Sequence, residues 1–206
     1  GLNGLDQKIE EHMDLDNGYF VELGANDGVN QSNTLYFEQF RGWRGLLIEP
    51  HPKNFSELVR NRLGANVFRH AACVGPEFSS KSAQLVYSNL MTSTLGIKSD
   101  ITDPIRHAIK GSQFCGGSNY QFEAPAFTLD QILTEAAAPQ RIDLLSLDVE
   151  GAELEILKGV DHSRYRFRYL CIESRNPTEL KGYLEKVRYR FVTQLSPHDY
   201  LFSSVE

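Results

Sequence analysis

The sequence predicts one α/β domain built on a doubly wound, mostly parallel sheet of seven strands whose last strand runs antiparallel. Three observations carry that expectation. Short apolar runs alternate with segments of helical spacing, as in a parallel sheet flanked by helices. The first of these runs feeds a turn that contains two glycines. The chain closes with two strand-like runs and no helix between them, which calls for an antiparallel hairpin, expected at the sheet edge.

Taken in order, residues 1–17 form an N-terminal lead-in. The first strand is Tyr19–Leu23 (YFVEL), followed by runs at 45–49 (GLLIE), 66–73 (NVFRHAAC), 142–148 (IDLLSLD) and 169–173 (YLCIE). The closing runs are 190–195 and 200–205, joined by a turn at 196–199. Helical spacing covers 33–40, 54–63, 151–160, where Leu154, Leu157 and Val160 recur at the helical period, and 177–187, which Pro177 opens from a favourable first-turn position. Residues 89–125 break the alternation, with Gly111, Gly116, Gly117 and scattered Phe114, Tyr120 and Phe122. A loop this long inside a compact domain is usually functional or mobile, and it is read as a lid or substrate-selecting insertion, the alternative being a plain irregular excursion.

At 206 residues the chain suffices for one well-buried domain and falls short of two. Hydrophobic and charged contents of 41% and 23% are those of a globular protein, which excludes disorder. A formal charge of −6 argues against a nucleic-acid partner, and Arg164, Arg166 and Arg168 read as a solvated edge. Cys73, Cys115 and Cys171 show no CxxC spacing, which points to buried thiols in a reducing, cytoplasmic setting. No apolar run reaches the roughly 18 to 20 residues of a membrane span. Because the chain opens on Gly1 rather than Met, a targeting segment stays open.

In a doubly wound sheet, ligands bind beyond the carboxyl ends of the strands, so the residues that follow each strand carry the functional reading. After the first strand comes E-x-G-x-x-x-G, formed by Glu22, Gly24 and Gly28, where the glycines let the backbone turn tightly and approach a ligand. This is not the G-x-G-x-x-G of dinucleotide sites, whose diphosphate needs bare amides. A methionine carboxylate and ammonium want mixed polar partners, which Glu22, Asn26 and Asp27 provide. The second strand ends in Glu49, 21 residues after Gly28, at the place of an acid that accepts both ribose hydroxyls. Pro50 and Pro52 delay the next helix, so Glu49 is not merely its cap.

The fourth strand ends in Asp148 and Glu150, two residues apart and able to face one side of the cleft, and the fifth in Glu173. Such carboxylates could bind the methionine ammonium, act as general base or hold a divalent cation. His51 and His198 lie in loops on the same side, where a lone histidine is more often simply solvated.

With these motifs in hand, FVELGANDG, SNTLYFEQFRGWRGLLIEPHP and LLSLDVEGAELEILKG together resemble the FkbM-type methyltransferases, over about residues 19–205. The resemblance implies a class I, Rossmann-like fold, S-adenosylmethionine as donor, and O-methylation of a sugar or natural-product hydroxyl. It implies a cofactor site lined by Glu22, Gly24, Asn26, Gly28, Ser32, Asn33 and Glu49, completed by Ala25, Asp27 and Pro50, with Ala72 or Cys73 near the adenine. Asp148 and Glu150 would face the methionine end and the acceptor.

Methyl transfer is an in-line displacement at a sulfonium carbon, and an alcohol acceptor needs a base or a metal. Asp148 and Glu150 are the candidates for base, with His198 behind them. Asp148, Glu150 and Glu173 would suit Mg²⁺ chemically, and no spacing supports zinc. The acceptor is expected to be a small molecule or glycan. The competing reading is a binding or scaffold module that keeps the fold without the chemistry. A nicotinamide enzyme would require a parallel last strand and three glycines over six residues, and the sequence has neither.

Overall fold

The computed structural model describes residues 1–115 and 118–205, and for Phe114 and Cys115 the main chain alone, so Gly116 and Gly117 of the expected insertion lie outside the described residues. Strands are β1 (Tyr19–Leu23), β2 (Arg44–Glu49), β3 (Val67–His70), β4 (Ala72–Val74), β5 (Ser82–Tyr87), β6 (Ser93–Thr94), β7 (Tyr120–Thr128), β8 (Arg141–Leu147), β9 (Arg166–Glu173), β10 (Tyr189–Gln194) and β11 (Asp199–Ser204). Helices are α1 (Leu5–Glu10), α2 (Leu35–Arg41), α3 (Pro52–Asn61), α4 (Pro104–Cys115), α5 (Leu129–Glu135), α6 (Glu153–Lys158) and α7 (Pro177–Lys186).

Seven strands form the main sheet in the order β10-β11-β9-β8-β1-β2-β3. β1 pairs in parallel with both β2 and β8, so the chain reverses its winding direction there. This is the switch point at which open α/β sheets bind ligands. β11 is antiparallel to both of its neighbours, as expected. The closing hairpin forms one edge of the sheet, as expected. β11 inserts between β9 and β10, which leaves β10 outermost.

The central strands are buried on both faces, which explains their continuous apolar runs. Alternate residues feed two cores: Val21, Leu46 and Leu145 point to one face, and Phe20, Leu47 and Leu144 to the other. Each such side chain contributes about 1.5–3 kcal/mol on burial. The lead-in is part of the second core through Leu5, Ile9 and Met13.

Two expectations are corrected. The run at 66–73 is two strands: β3 pairs with β2, and after Ala71 the chain swings away so that β4 pairs with β7. A second sheet, β4-β7-β5-β6, joins the end of that run to β5, β6 and β7, which carried no strand expectation. Its ribbon presents a polar outer face, where Gln84 Nε2 donates to Glu123 Oε1 at 2.7 Å, and a half-solvated ribbon of this kind lacks a long apolar run. Residues 89–125 are not one irregular loop, since they contain β6, α4 and the start of β7. Helix α5 was also unanticipated, although Thr128 and Gln131 form its capping box.

Candidate active site

The turn after β1 is shaped by its protein neighbours. Gly24 has φ +76°, and a Cβ there would overlap the carbonyl oxygen of Asp148, so the ends of β1 and β8 meet only because the residue is glycine. Gly28 has φ +81°, and its Cβ would lie 2.6 Å from Arg62 Cγ and Leu58 Cδ1. The positive φ at both glycines bears out the expected tight turn, and packing inside the protein adds a second reason for the missing Cβ. Asn26, Gln31 and Glu150 also hold positive φ around the same cleft, the kind of strain that collects at functional sites.

Glu22 is buried and already engaged. It accepts from Ser32 Oγ at 3.0 Å, the Asn33 amide at 3.0 Å and Thr34 Oγ1 at 2.6 Å, and Arg62 lies behind it. Asn33 Nδ2 in turn donates to Ser146 Oγ on β8 at 3.1 Å. Asp27 does not reach the cleft, because its Oδ1 accepts from the Val29 and Asn30 amides and holds the turn.

Glu49 closes β2 and is 5% exposed. Its Oε2 accepts from the Asn26 amide at 2.9 Å and its Oε1 from the His51 amide at 2.8 Å. Burial pushes its pKa up to about 7, against the pull of those two hydrogen bonds. His51 is not solvated. It is 3% exposed, its Nδ1 caps α3 by accepting from the Asn54 amide, and its ring stacks on Tyr87 at 4.2 Å. With Nδ1 an acceptor, Nε2 is assigned the proton and donates to Tyr120 Oη at 2.6 Å. Burial lowers its pKa, which keeps the ring neutral.

Asp148, Glu150 and Glu173 each offer an oxygen within 4.8 Å of the others, at the ends of β8 and β9. Glu150 Oε2 accepts from His107 Nε2 of α4 at 2.8 Å and from Arg175 Nη2 at 2.9 Å, and Arg175 also lies 3.5 Å from Glu173. Asp148 faces the cleft and is reachable from solvent there, yet protein encloses the rest of its carboxyl. That enclosure, with the negative charges of Glu173 and Glu150 beside it, raises its pKa well above the carboxylate range. Glu173 is raised as well, first by burial. The side chains of the two hydrogen-bond, which raises Asp148 further and draws Glu173 back down. Glu153 braces the turn beneath them by accepting from the Val149 and Gly151 amides, and burial pushes it up to about 8.

These groups border one cleft of about 890 Å³, a volume that takes in the solvent at its open mouth. Glu22, Gly24, Asn26, Ser32, Asn33, Glu49, Pro50, Ala72, Cys73, Asp148 and Glu150 line it. Ala25, Asp27 and Gly28 support the turn from outside the lining, and Glu173 stands behind Asp148. His198 is not brought in. It is exposed in the β10–β11 turn, where its carbonyl accepts from the Ser174 amide.

The sequence reading missed Ser146, Gln31, Asn54, Leu85 and Asn89 among the lining residues, and His107 and Arg175 behind it. Ser146 was the one with a signal, as a lone polar residue inside an apolar strand two positions before Asp148.

A sheet of this order with its last strand reversed, carrying its cleft at the switch point, is the fold of the class I S-adenosylmethionine-dependent methyltransferases. The chain belongs to the FkbM methyltransferase family: the family model described as the methyltransferase FkbM domain matches residues 22–196. It is 47% identical over 186 residues to "Methyltransferase sdnD" of Sordaria araneosa, covering 82% of this chain and 71% of that one. It is 26% identical over 156 residues to "Methyltransferase 1" of Beauveria bassiana (strain ARSEF 2860), covering 73% of this chain and 61% of the relative.

Among solved structures it is similar to a SAM-dependent methyltransferase from Aquifex aeolicus, at 11% identity and a TM-score of 0.46, covering 99% of this chain and 93% of that one. TrmK of M. capricolum, solved in complex with S-adenosyl-homocysteine, is similar at 13% identity and a TM-score of 0.39, covering 97% and 65%. Among the described residues no helix is long and apolar enough to cross a membrane.

Proposed function

We propose that this protein transfers the methyl group of S-adenosylmethionine to a hydroxyl oxygen of a small-molecule acceptor, a sugar or other natural product. The observation that carries the reading is that Glu49 and Asp148 border one cleft, one as a buried strand-end carboxylate and the other as a carboxyl whose pKa is raised by burial and by neighbouring acids.

The residues fit the cofactor. Each oxygen of Glu49 already accepts one backbone hydrogen bond and keeps capacity for a ribose hydroxyl. Ile48, Ala71, Ala72 and Leu85 give the apolar wall that a base needs, and Asn26, Ser32 and Asn33 the polar end that an amino acid needs. When bound there, S-adenosylmethionine supplies an electrophilic methyl group on sulfur.

The chain's own task is to hold the acceptor oxygen in line and remove its proton. Asp148 is the base in this proposal. Its raised pKa makes the carboxylate more basic near neutral pH than an exposed aspartate. Glu150 is pinned by His107 and Arg175 and fixes the wall beside it. His198, outside the cleft, has no role. The three carboxylates are close enough for one divalent ion, but Arg175 already supplies positive charge to two of them, and that arrangement fits Mg²⁺ poorly.

Residues 89–125 act as the lid in this proposal. Asn89, Leu90, Thr92 and Thr94 border the cleft, and α4 carries His107 to Glu150. Calorimetry with S-adenosylhomocysteine, followed by methyl-transfer assays over a panel of hydroxylated acceptors, tests the reading. Micromolar binding and turnover on an alcohol are expected, and a purified protein that binds neither cofactor nor product overturns it.

A further inference from the structure

Arg62, just beyond α3, is among the largest fully buried side chains and does not border the cleft. Burying a guanidinium requires partners for all of its donors. Nε donates to Glu38 Oε2 at 2.7 Å, and Nη2 lies 2.6 Å from the same oxygen. Nη2 also donates to Thr34 Oγ1 at 3.1 Å. Nη1 donates to the Gly28 carbonyl and to Ser32 Oγ, both at 3.1 Å, and faces Glu22 at 3.5 Å. Phe20 covers the group from beneath.

These partners are the acid at the end of β1, the glycine turn, the loop after it and the first turns of α2. They are the two ends and the middle of the segment that lines one whole side of the cleft. Gly28 is part of the same device, since any side chain there would overlap Arg62.

We propose that Arg62 is a positioning residue for the cofactor: by gripping residues 22–34 from behind, it holds Asn26, Ser32 and Asn33 in the places from which they meet the amino-acid end of S-adenosylmethionine. The inference rests on the cofactor reading given above. A guanidinium suits the task because its planar fork of five donors fixes several acceptors in direction as well as distance. The ammonium of lysine can balance the charge of Glu22 without fixing that geometry.

The test uses calorimetry with S-adenosylhomocysteine and thermal melts of the purified chain. Arg62→Lys is expected to keep most of the melting temperature while the dissociation constant rises roughly tenfold or more. Glu38→Gln, a change well outside the cleft, is expected to raise it by about threefold, because Glu38 Oε2 anchors both Nε and Nη2 of the guanidinium. If Arg62→Met fails to fold, these two variants decide. Wild-type affinity in both overturns the inference and leaves the cofactor reading standing. A wild-type protein that does not bind the homocysteine product overturns the cofactor reading, and the inference falls with it.

Discussion

At the glycine turn Glu22 meets a guanidinium, two hydroxyls and an amide, all inside the protein. At the ends of β8 and β9, three carboxylates share one arginine and one histidine. The first acid is fully compensated and behaves as framework. The second group is under-compensated, and burial together with the surplus negative charge raises Asp148 and Glu173. Two ends of one cleft, both rich in acids, therefore take different work. A satisfied buried charge fixes geometry, and an unsatisfied one stays ready to exchange a proton.

The comparison breaks most directly at Asp148. Asp148→Asn removes the base and is expected to lower turnover by about 10² or more, while S-adenosylhomocysteine binding stays within about threefold of wild type. Unchanged turnover would place the base elsewhere. Glu49→Ala is expected to raise the dissociation constant of the cofactor roughly tenfold, which calorimetry reads, and unaltered affinity would remove the ribose role.

Arg175→Met sharpens the contrast by taking away the shared cation. Glu173 should then hold its proton to higher pH, and the rising limb of the pH–rate profile that depends on it is expected to move upward. A stationary limb would mean that Arg175 does not tune the pair.

Glu49 and Glu153 give a pH dependence with a definite sign. Both are pushed above the ordinary 4.5, to about 7 and about 8, so the folded chain keeps protons that the unfolded chain has lost. Stability of the ligand-free protein therefore falls as pH rises from about 4.5 through those values. Cofactor affinity runs the other way, strengthening as Glu49 ionises through about 7. Melting curves and calorimetry between pH 5 and 8 check both signs. The smallest effect belongs to Ser146→Ala, which frees the Asn33 amide and is expected to cost about 1 kcal/mol of stability.

Much of this was legible in sequence. Glu49 and Asp148 stood out because a carboxylate directly after an apolar run marks the carboxyl end of a strand. His51 was misread because the histidine that caps α3 looks, in sequence, like any loop histidine. The β5–β7 ribbon was missed because half of its residues face solvent and break the apolar pattern.

The alternation of strands and helices, the reversed last strand and the acids at the strand ends can all be read along the chain. These are local facts, set by periodicity and by position along a run. Tertiary structure alone decided which acids are neutralised. Arg62 reaches Glu22 across 40 residues, His107 reaches Glu150 across 43, and Arg175 reaches it across 25. Charge compensation has no period to read along a chain, because it exists only once distant segments have closed around the same few ångströms.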